Sequence, residues 1–81
     1  MTVTVHFYSY FKDLSGCSTT TATLPESSTI DDLLRALSSR FPKLEPLWKC
    51  TLVAVGVDYR ERNRLLNDGD EVSLFPPVQG G

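Results

Sequence analysis

The chain has 81 residues and a formal net charge of −2 at pH 7, with 41% hydrophobic and 22% charged residues. This length is enough for one small domain with a single core, and the acidic balance argues against a nucleic-acid-binding surface. No charged start followed by a long apolar run opens the chain, and the longest apolar stretch, Leu52 to Val57, is too short to cross a bilayer. We therefore expect a soluble, cytoplasmic protein.

Residues that hold metals or carry out catalysis are scarce. Cys17, Cys50 and the single histidine His6 are too few for a structural zinc site. A disulfide between the two cysteines is an open alternative, but separate reduced thiols are expected in a cytoplasmic protein. We recognise no nucleophile–base pair, phosphate-binding glycine loop or metal cluster. The sequence therefore predicts no metal, no bound cofactor and no enzymatic activity of the chain on its own.

The N-terminal part predicts two strands. The segment 2–8 alternates, which places Val3, Val5 and Phe7 on the core face and directs Thr4, His6 and Tyr8 the other way. We interpret His6 as a surface residue, because no acidic or nucleophilic partner lies near it in sequence. Residues 10–14 favour a helical turn that ends at Ser15-Gly16. The threonine-rich segment 17–24 predicts an edge or near-edge strand with one solvated face.

Residues 28–41 predict the main helix. A single stripe of apolar side chains recurs at helical spacing, and Pro42 closes the segment. Ser28 or Thr29 is placed to cap the first N–H groups. The adjacent carboxylates Asp31 and Asp32 suit the positive end of the helix dipole better than paired acid–base chemistry, because neighbouring helix positions do not face each other. The stripe comprises Ile30, Leu33, Leu34, Leu37 and Phe41.

The C-terminal half predicts further strands joined by turns. Residues 43–49 form a connector that packs Leu47 or Trp48 against the helix, and residues 51–55 are predicted as a central strand. A turn at 56–59 precedes a loop containing Arg60, Arg62 and Arg64, which we interpret as solvated, with a basic partner-facing patch as the alternative. We expect Leu65 and Leu66 to return to the core, followed by a turn at 67–70 and a last strand at 71–75.

These elements predict an α+β fold in which one main helix covers a small mixed sheet. In the last strand, Val72 and Leu74 share one face, whereas Ser73 and Phe75 share the other. Pro76-Pro77 then stops sheet pairing, because proline has no backbone N–H. We therefore divide the chain into a folded domain at 1–76 and an extended tail at 77–81.

The tail ends in Gly80-Gly81. Glycine has no Cβ, so this backbone fits a channel too narrow for other residues and would deliver the Gly81 carboxylate to its far end. A free carboxylate is a poor electrophile, so such a tail implies activation elsewhere, most simply as an acyl-adenylate. The alternative is a frayed terminus. Its place directly after a core strand and a stiff Pro-Pro spacer favours a function.

The last sixteen residues carry a family resemblance. Leu66–Val72, Phe75–Val78 and the final Gly80-Gly81 together resemble the small subunit of molybdopterin synthase, the MoaD type of sulfur carrier in the MoaD/ThiS family. The strands at 52–55 and 5–8 fall where that family has them. The ThiS type, used in thiazole synthesis, is similar in fold and last residues but usually lacks the Pro-Pro. One departure is Gly56, where the family commonly has asparagine in the turn.

The resemblance implies a β-grasp, or ubiquitin-like, fold and a non-catalytic role. A ubiquitin-activating-like enzyme would adenylate Gly81 with ATP, and a sulfurtransferase would supply the sulfur of a thiocarboxylate. The tail, through Pro76, Pro77 and Gly80, would then enter the molybdopterin synthase large subunit in a heterotetramer. There Gly81 would donate sulfur to the cyclic pyranopterin precursor to form the dithiolene of molybdopterin.

A carrier of this kind must also dock on its partners. Strand alternation directs Tyr8 and Phe75 away from the helix-covered face, and a β-grasp arrangement brings Tyr59 near them. Three exposed aromatic groups together are typical of interface anchors, so we predict a docking patch at Tyr8, Tyr59 and Phe75. The alternative is a minor surface cluster in which they merely pack on one another.

Three other functions compete with this one. A similar carrier could serve thiamine synthesis or tRNA thiolation, and a ubiquitin-like modifier would join Gly81 to lysines of target proteins. Only the modifier predicts targets with an isopeptide-linked remnant. An interaction module with an inert terminus predicts that deleting Gly81 changes nothing. The Phe-Pro-Pro-Val segment favours the molybdopterin role over all three.

Overall fold

The computed structural model describes residues 1–77. Within these residues, five strands, two α-helices and one 3-10 helix follow one another along the chain: β1 (Thr2–Phe7), α1 (Phe11–Ser15), β2 (Thr19–Thr23), α2 (Ile30–Arg40), the 3-10 helix (Pro42–Cys50), β3 (Leu52–Val55), β4 (Asp58–Tyr59) and β5 (Glu71–Phe75). The strands form one mixed sheet in the order β2-β1-β5-β3-β4. The predicted α+β class and β-grasp arrangement are confirmed.

The centre of the sheet is β5, which pairs parallel with β1 and antiparallel with β3. The segment predicted as a central strand, β3, lies inside the sheet as predicted, between β5 and the two-residue edge strand β4. As predicted, β2 is an edge strand, and within the described sheet it pairs with β1 alone.

Alternation along the strands decides which side chains enter the core. Val3, Val5 and Phe7 of β1, and Val72 and Leu74 of β5, are almost completely buried. They face the apolar stripe of α2, of which Ile30, Leu33, Leu34 and Leu37 are buried. Within residues 1–77 the opposite side of the sheet carries no helix, and we call it the outer face.

The N-terminus of α2 is capped in two ways. Asp32 N–H donates to Thr29 Oγ1 at 3.2 Å, and Thr29 N–H donates to Asp32 Oδ2 at 2.9 Å, which forms a reciprocal capping box. The backbone carbonyls of Arg62 and Arg64 accept from the N–H groups of Asp31 and Ile30. The predicted capping and dipole roles of Thr29 and Asp32 are therefore confirmed, and the loop before β5 is tied to the helix.

The arginine loop and the leucines after it differ from the prediction in part. Arg62 donates to the backbone carbonyls of Trp48 and Thr51, so it ties two segments together and does not contribute to a basic surface patch. Leu66 is buried as predicted, whereas Leu65 is 56% exposed. Leu65 forms a backbone bridge with Thr29, and this bridge lets its side chain point outward.

The connector folds as the 3-10 helix and buries Leu44 and Trp48. Trp48 Nε1 donates to Ser38 Oγ of α2 at 2.6 Å, which anchors the connector on the helix as expected. Cys17 and Cys50 are free thiols and form no disulfide. None of the helices within residues 1–77 has the length and the apolar character of a transmembrane span.

Acid should weaken the cap of α2. The hydrogen bonds from Thr29 lower the pKa of Asp32 below its usual 3.8. A lowered folded-state pKa stabilises the fold above the unfolded pKa, and this stabilisation is lost as the pH falls through the folded value. We expect the free energy of unfolding of wild type and Asp32→Asn to converge below about pH 4.

The measurement is urea unfolding of both proteins across pH 2–7. Asp31→Asn is the matched control, because the Asp31 side chain pairs with Arg35 and makes no bond to Thr29. A wild-type advantage over Asp32→Asn that stays constant with pH would contradict the capping explanation.

Candidate functional site: the aromatic patch at the root of the tail

The predicted docking residues lie together on the outer face. Tyr8 and Phe75 stack with ring centroids 4.6 Å apart and an interplanar angle of 15°. Tyr59 also contacts Phe75, edge-on, with centroids 6.1 Å apart. Tyr8 is 43% and Tyr59 67% exposed, so both rings still offer most of one side to solvent. We call these three residues the aromatic patch.

Strand register explains why the three rings meet. Tyr8 N–H donates to the carbonyl of Leu74 at 3.2 Å, which extends the β1–β5 ladder by one residue and sets Tyr8 beside Phe75. On the other side, Leu52 of β3 pairs with Phe75, and Tyr59 of β4 pairs with Ala54. Four strands therefore hold a patch whose residues are distant in sequence.

The patch borders a groove of about 480 Å³. Its walls include Pro76 and Pro77, so the segment that leaves the sheet forms part of the same surface. The predicted tail residues Gly80 and Gly81 lie outside the described residues. The complete lining is Tyr8, Ser9, Tyr10, Leu52, Tyr59, Phe75, Pro76 and Pro77.

Three residues of this surface, Ser9, Tyr10 and Leu52, are absent from the sequence-based prediction. Leu52 is 41% exposed on the outer face although it begins an apolar strand. Because Val53 and Val55 face the core, strand alternation places Leu52 on the opposite face, and this pattern predicts its exposure. Tyr10 was assigned only to a helical turn, but Ser9 adopts a left-handed φ of +56°, and this turn places Tyr10 at the groove.

A polar network lies beside the patch on the outer face. His6 Nε2 is 2.8 Å from Glu71 Oε1, and His6 Nδ1 is 3.3 Å from Thr19 Oγ1. His6 is a surface strand residue as predicted, but its acidic partner is 65 positions away in the chain, beyond the reach of local sequence reasoning. The network joins β2, β1 and β5 across the outer face.

Within residues 1–77 no group of three or more histidine, cysteine, aspartate or glutamate side chains is arranged to hold a metal ion. The surface formed by the patch and the two prolines is apolar and aromatic, which suits contact with another protein. This surface includes Pro76 and Pro77, which follow directly after β5.

Comparison with known proteins agrees with this architecture. A family model described as the ThiS family matches residues 5–81. The chain belongs to the ThiS family. The match spans β1 to β5 and continues through Gly80 and Gly81, so the family resemblance seen in the sequence is confirmed.

Individual relatives of this ThiS-family chain include subunits named for molybdopterin synthesis and a protein that shares the fold. The molybdopterin synthase sulfur carrier subunit of Arabidopsis thaliana is 28% identical over 79 residues, covering 98% of this chain and 82% of the relative. In the complex of subunits 1 and 2 of the molybdopterin-converting factor from Helicobacter pylori, one chain is 26% identical, with a TM-score of 0.68 and full coverage of both chains. The small archaeal modifier protein 1 of Haloferax volcanii, 24% identical, shares the fold with a TM-score of 0.87, covering 95% of this chain and 98% of that one.

Substitutions on the two faces of the sheet should lower the free energy of unfolding by different amounts. Leu74→Ala should lower the free energy of unfolding by about 2–5 kcal/mol, because it empties a fully buried position. Tyr59→Ala should lower it by only about 0.5 kcal/mol, because the ring is mostly exposed. Urea denaturation monitored by circular dichroism measures both. Equal losses would show that Tyr59 belongs to the core and is not available for docking.

Proposed function

We propose that this chain is the sulfur-carrier small subunit of a molybdopterin synthase, with Gly81 as the point of sulfur attachment. The observation that carries the proposal is the family match through residue 81. Relatives named as molybdopterin synthase sulfur carrier subunits, aligned over nearly the whole chain, support this pathway. The chain would carry the reactive group and leave catalysis to its partners.

The chemistry proceeds in three steps. An activating enzyme of the ubiquitin-activating type joins the Gly81 carboxylate to AMP and releases pyrophosphate from ATP. The persulfide of a sulfurtransferase then attacks the adenylate, the C–S bond forms, and AMP leaves. A thiol reduces the resulting acyl disulfide, which leaves the thiocarboxylate on Gly81 and a disulfide as the oxidised product. The resulting thiocarboxylate is a softer nucleophile than the carboxylate, and in the large subunit it transfers its sulfur to cyclic pyranopterin monophosphate. Hydrolysis of the acyl group returns the Gly81 carboxylate for another cycle.

The aromatic patch supports the docking part of the proposal. Tyr8, Tyr59 and Phe75 form an exposed apolar surface beside Pro76, where the chain leaves the sheet. The structure of the Helicobacter pylori relative is a complex of the converting factor's two subunits, which supports a second protein as partner here too. We propose that one patch serves both the activating enzyme and the large subunit, so that the two complexes exclude each other.

A transfer assay tests the sulfur-carrier role. The protein is prepared as its Gly81 thiocarboxylate and mixed with a molybdopterin synthase large subunit and cyclic pyranopterin monophosphate. We expect dithiolene product, measured as its fluorescent oxidation derivative, and none from a chain lacking Gly81. The absence of product from an intact thiocarboxylate, with a large subunit that is active on its own partner, would favour the thiamine or tRNA pathways.

A binding assay tests the shared patch. Phe75→Ala removes the ring that contacts both Tyr8 and Tyr59, and we expect its affinity for each partner to fall at least about tenfold. Leu65→Ala is the matched control, because Leu65 is an exposed apolar residue outside the groove lining. Calorimetry with the activating enzyme and with the large subunit gives both affinities. If Phe75→Ala left them unchanged, the patch would not be the docking surface.

A further inference from the structure

The two edges of the sheet differ in how they are protected. At one edge β4 has only two residues, and such a short strand has few backbone N–H and C=O groups with which another strand could pair. At the other edge β2 has five residues, TTTAT, without a charge or a proline. A β-branched, uncharged edge strand of this length is a template for pairing with another strand.

The register shows which backbone groups of β2 are open. Phe7 N–H donates to the carbonyl of Ser18, and Leu24 N–H donates to the carbonyl of Met1. Because hydrogen-bonded positions alternate in an antiparallel pair, the even-numbered residues of β2 turn their polar groups toward β1. Thr19, Thr21 and Thr23 therefore direct their N–H and C=O groups toward the open edge.

One side chain covers the middle of this edge. Arg40, the last residue of α2, donates from Nη1 to the Thr21 carbonyl at 2.7 Å and from Nη2 to Thr20 Oγ1 at 2.6 Å. Its guanidinium carbon also lies 5.1 Å from the centre of the Phe41 ring, which holds the group in place. Among the described residues, Arg40 is the only one whose side chain is hydrogen-bonded to the backbone of β2.

We propose that Arg40 blocks strand pairing at the open edge of β2 and so keeps this chain monomeric. The partner that it prevents from pairing there is a second copy of the chain. The two copies would pair antiparallel through β2 about a two-fold axis at Thr21. Thr21 would then face Thr21 of the other copy, and Thr19 would face Thr23. The strand suits this pairing because it is nearly uniform in sequence, threonine pairs across strands are favourable, and no like charges would meet within it.

Arg40 opposes this pairing in two ways. The Thr21 carbonyl would have to accept the Thr21 N–H of the other copy, but the guanidinium already lies on that carbonyl. The two-fold axis would also bring the Arg40 side chains of both copies together, and two like charges at short distance repel. Removing the guanidinium should therefore allow β2 to pair with β2 of a second copy. This inference does not depend on the sulfur-carrier role.

The first test compares the mass in solution of wild type, Arg40→Met and Arg35→Met. Methionine keeps an apolar stem against Phe41 but removes the charge and the donors. Arg35 is the matched control, because it lies on the same helix and pairs with Asp31 and Asp32, not with β2. By sedimentation velocity we expect wild type and Arg35→Met at the 9.0 kDa monomer. Arg40→Met should show concentration-dependent dimers, with self-association at least about tenfold tighter.

The second test locates the contact. Thr21→Pro removes the outward N–H at the proposed axis without removing a hydrogen bond to β1. Added to Arg40→Met, it should restore the monomer, and circular dichroism confirms the fold of each variant. Arg40→Glu offers a further arm, because two carboxylates would repel each other at the axis, and this variant should therefore stay monomeric.

Three results would overturn the proposal. They are a wild type that is already dimeric through β2, an Arg40→Met that stays monomeric while folded, and dimers of Arg40→Met that persist with Thr21→Pro. If Arg40→Met fails to fold, Arg40→Gln, which keeps a polar side chain without the charge, gives the same comparison.

Discussion

The pairing of β5 on both of its sides is the constraint on which the molecule depends. Its five residues supply the core through Val72 and Leu74 and the aromatic patch through Phe75. A slip of one residue against β1 or β3 would reverse these faces, so that Phe75 entered the core and Leu74 became exposed. Correct register therefore fixes core packing, the assembly of the patch and the start of the tail at the same time.

The two sides of the sheet differ in the interactions that they carry. The helix layer carries the caps, the Trp48–Ser38 hydrogen bond and the Arg62 bonds to two carbonyls, all of which hold segments together. On the outer face, the outward positions of the described strands carry a single carboxylate, Glu71, which is paired with His6. The uncovered side of the sheet is thus poor in charge, and its apolar area is concentrated where the chain leaves β5.

Local sequence patterns predicted the elements well because burial follows alternation and helical spacing. Tyr8 and Phe75 were placed on the outer face by alternation alone. The neighbours of β3 in the sheet and the exposure of Leu65 could not be predicted in this way, because both depend on pairing with distant segments. The same is true of the His6–Glu71 pair and of Tyr10 in the groove, which exist only once the sheet and the turn at Ser9 have formed. The predicted roles of Gly80 and Gly81 rest on the sequence and the family match.

The central place of β5 has a consequence for synthesis on the ribosome. The parallel pair of β1 and β5 joins Thr4 to Glu71, so it closes almost the longest loop that the chain allows. Until β5 has been synthesised, the sheet lacks its central strand, and β1 and β3 have no partner on that side. During that interval both strands expose edges on which chaperones can act. The aromatic patch, which includes Phe75, can therefore assemble only after β5 has been synthesised.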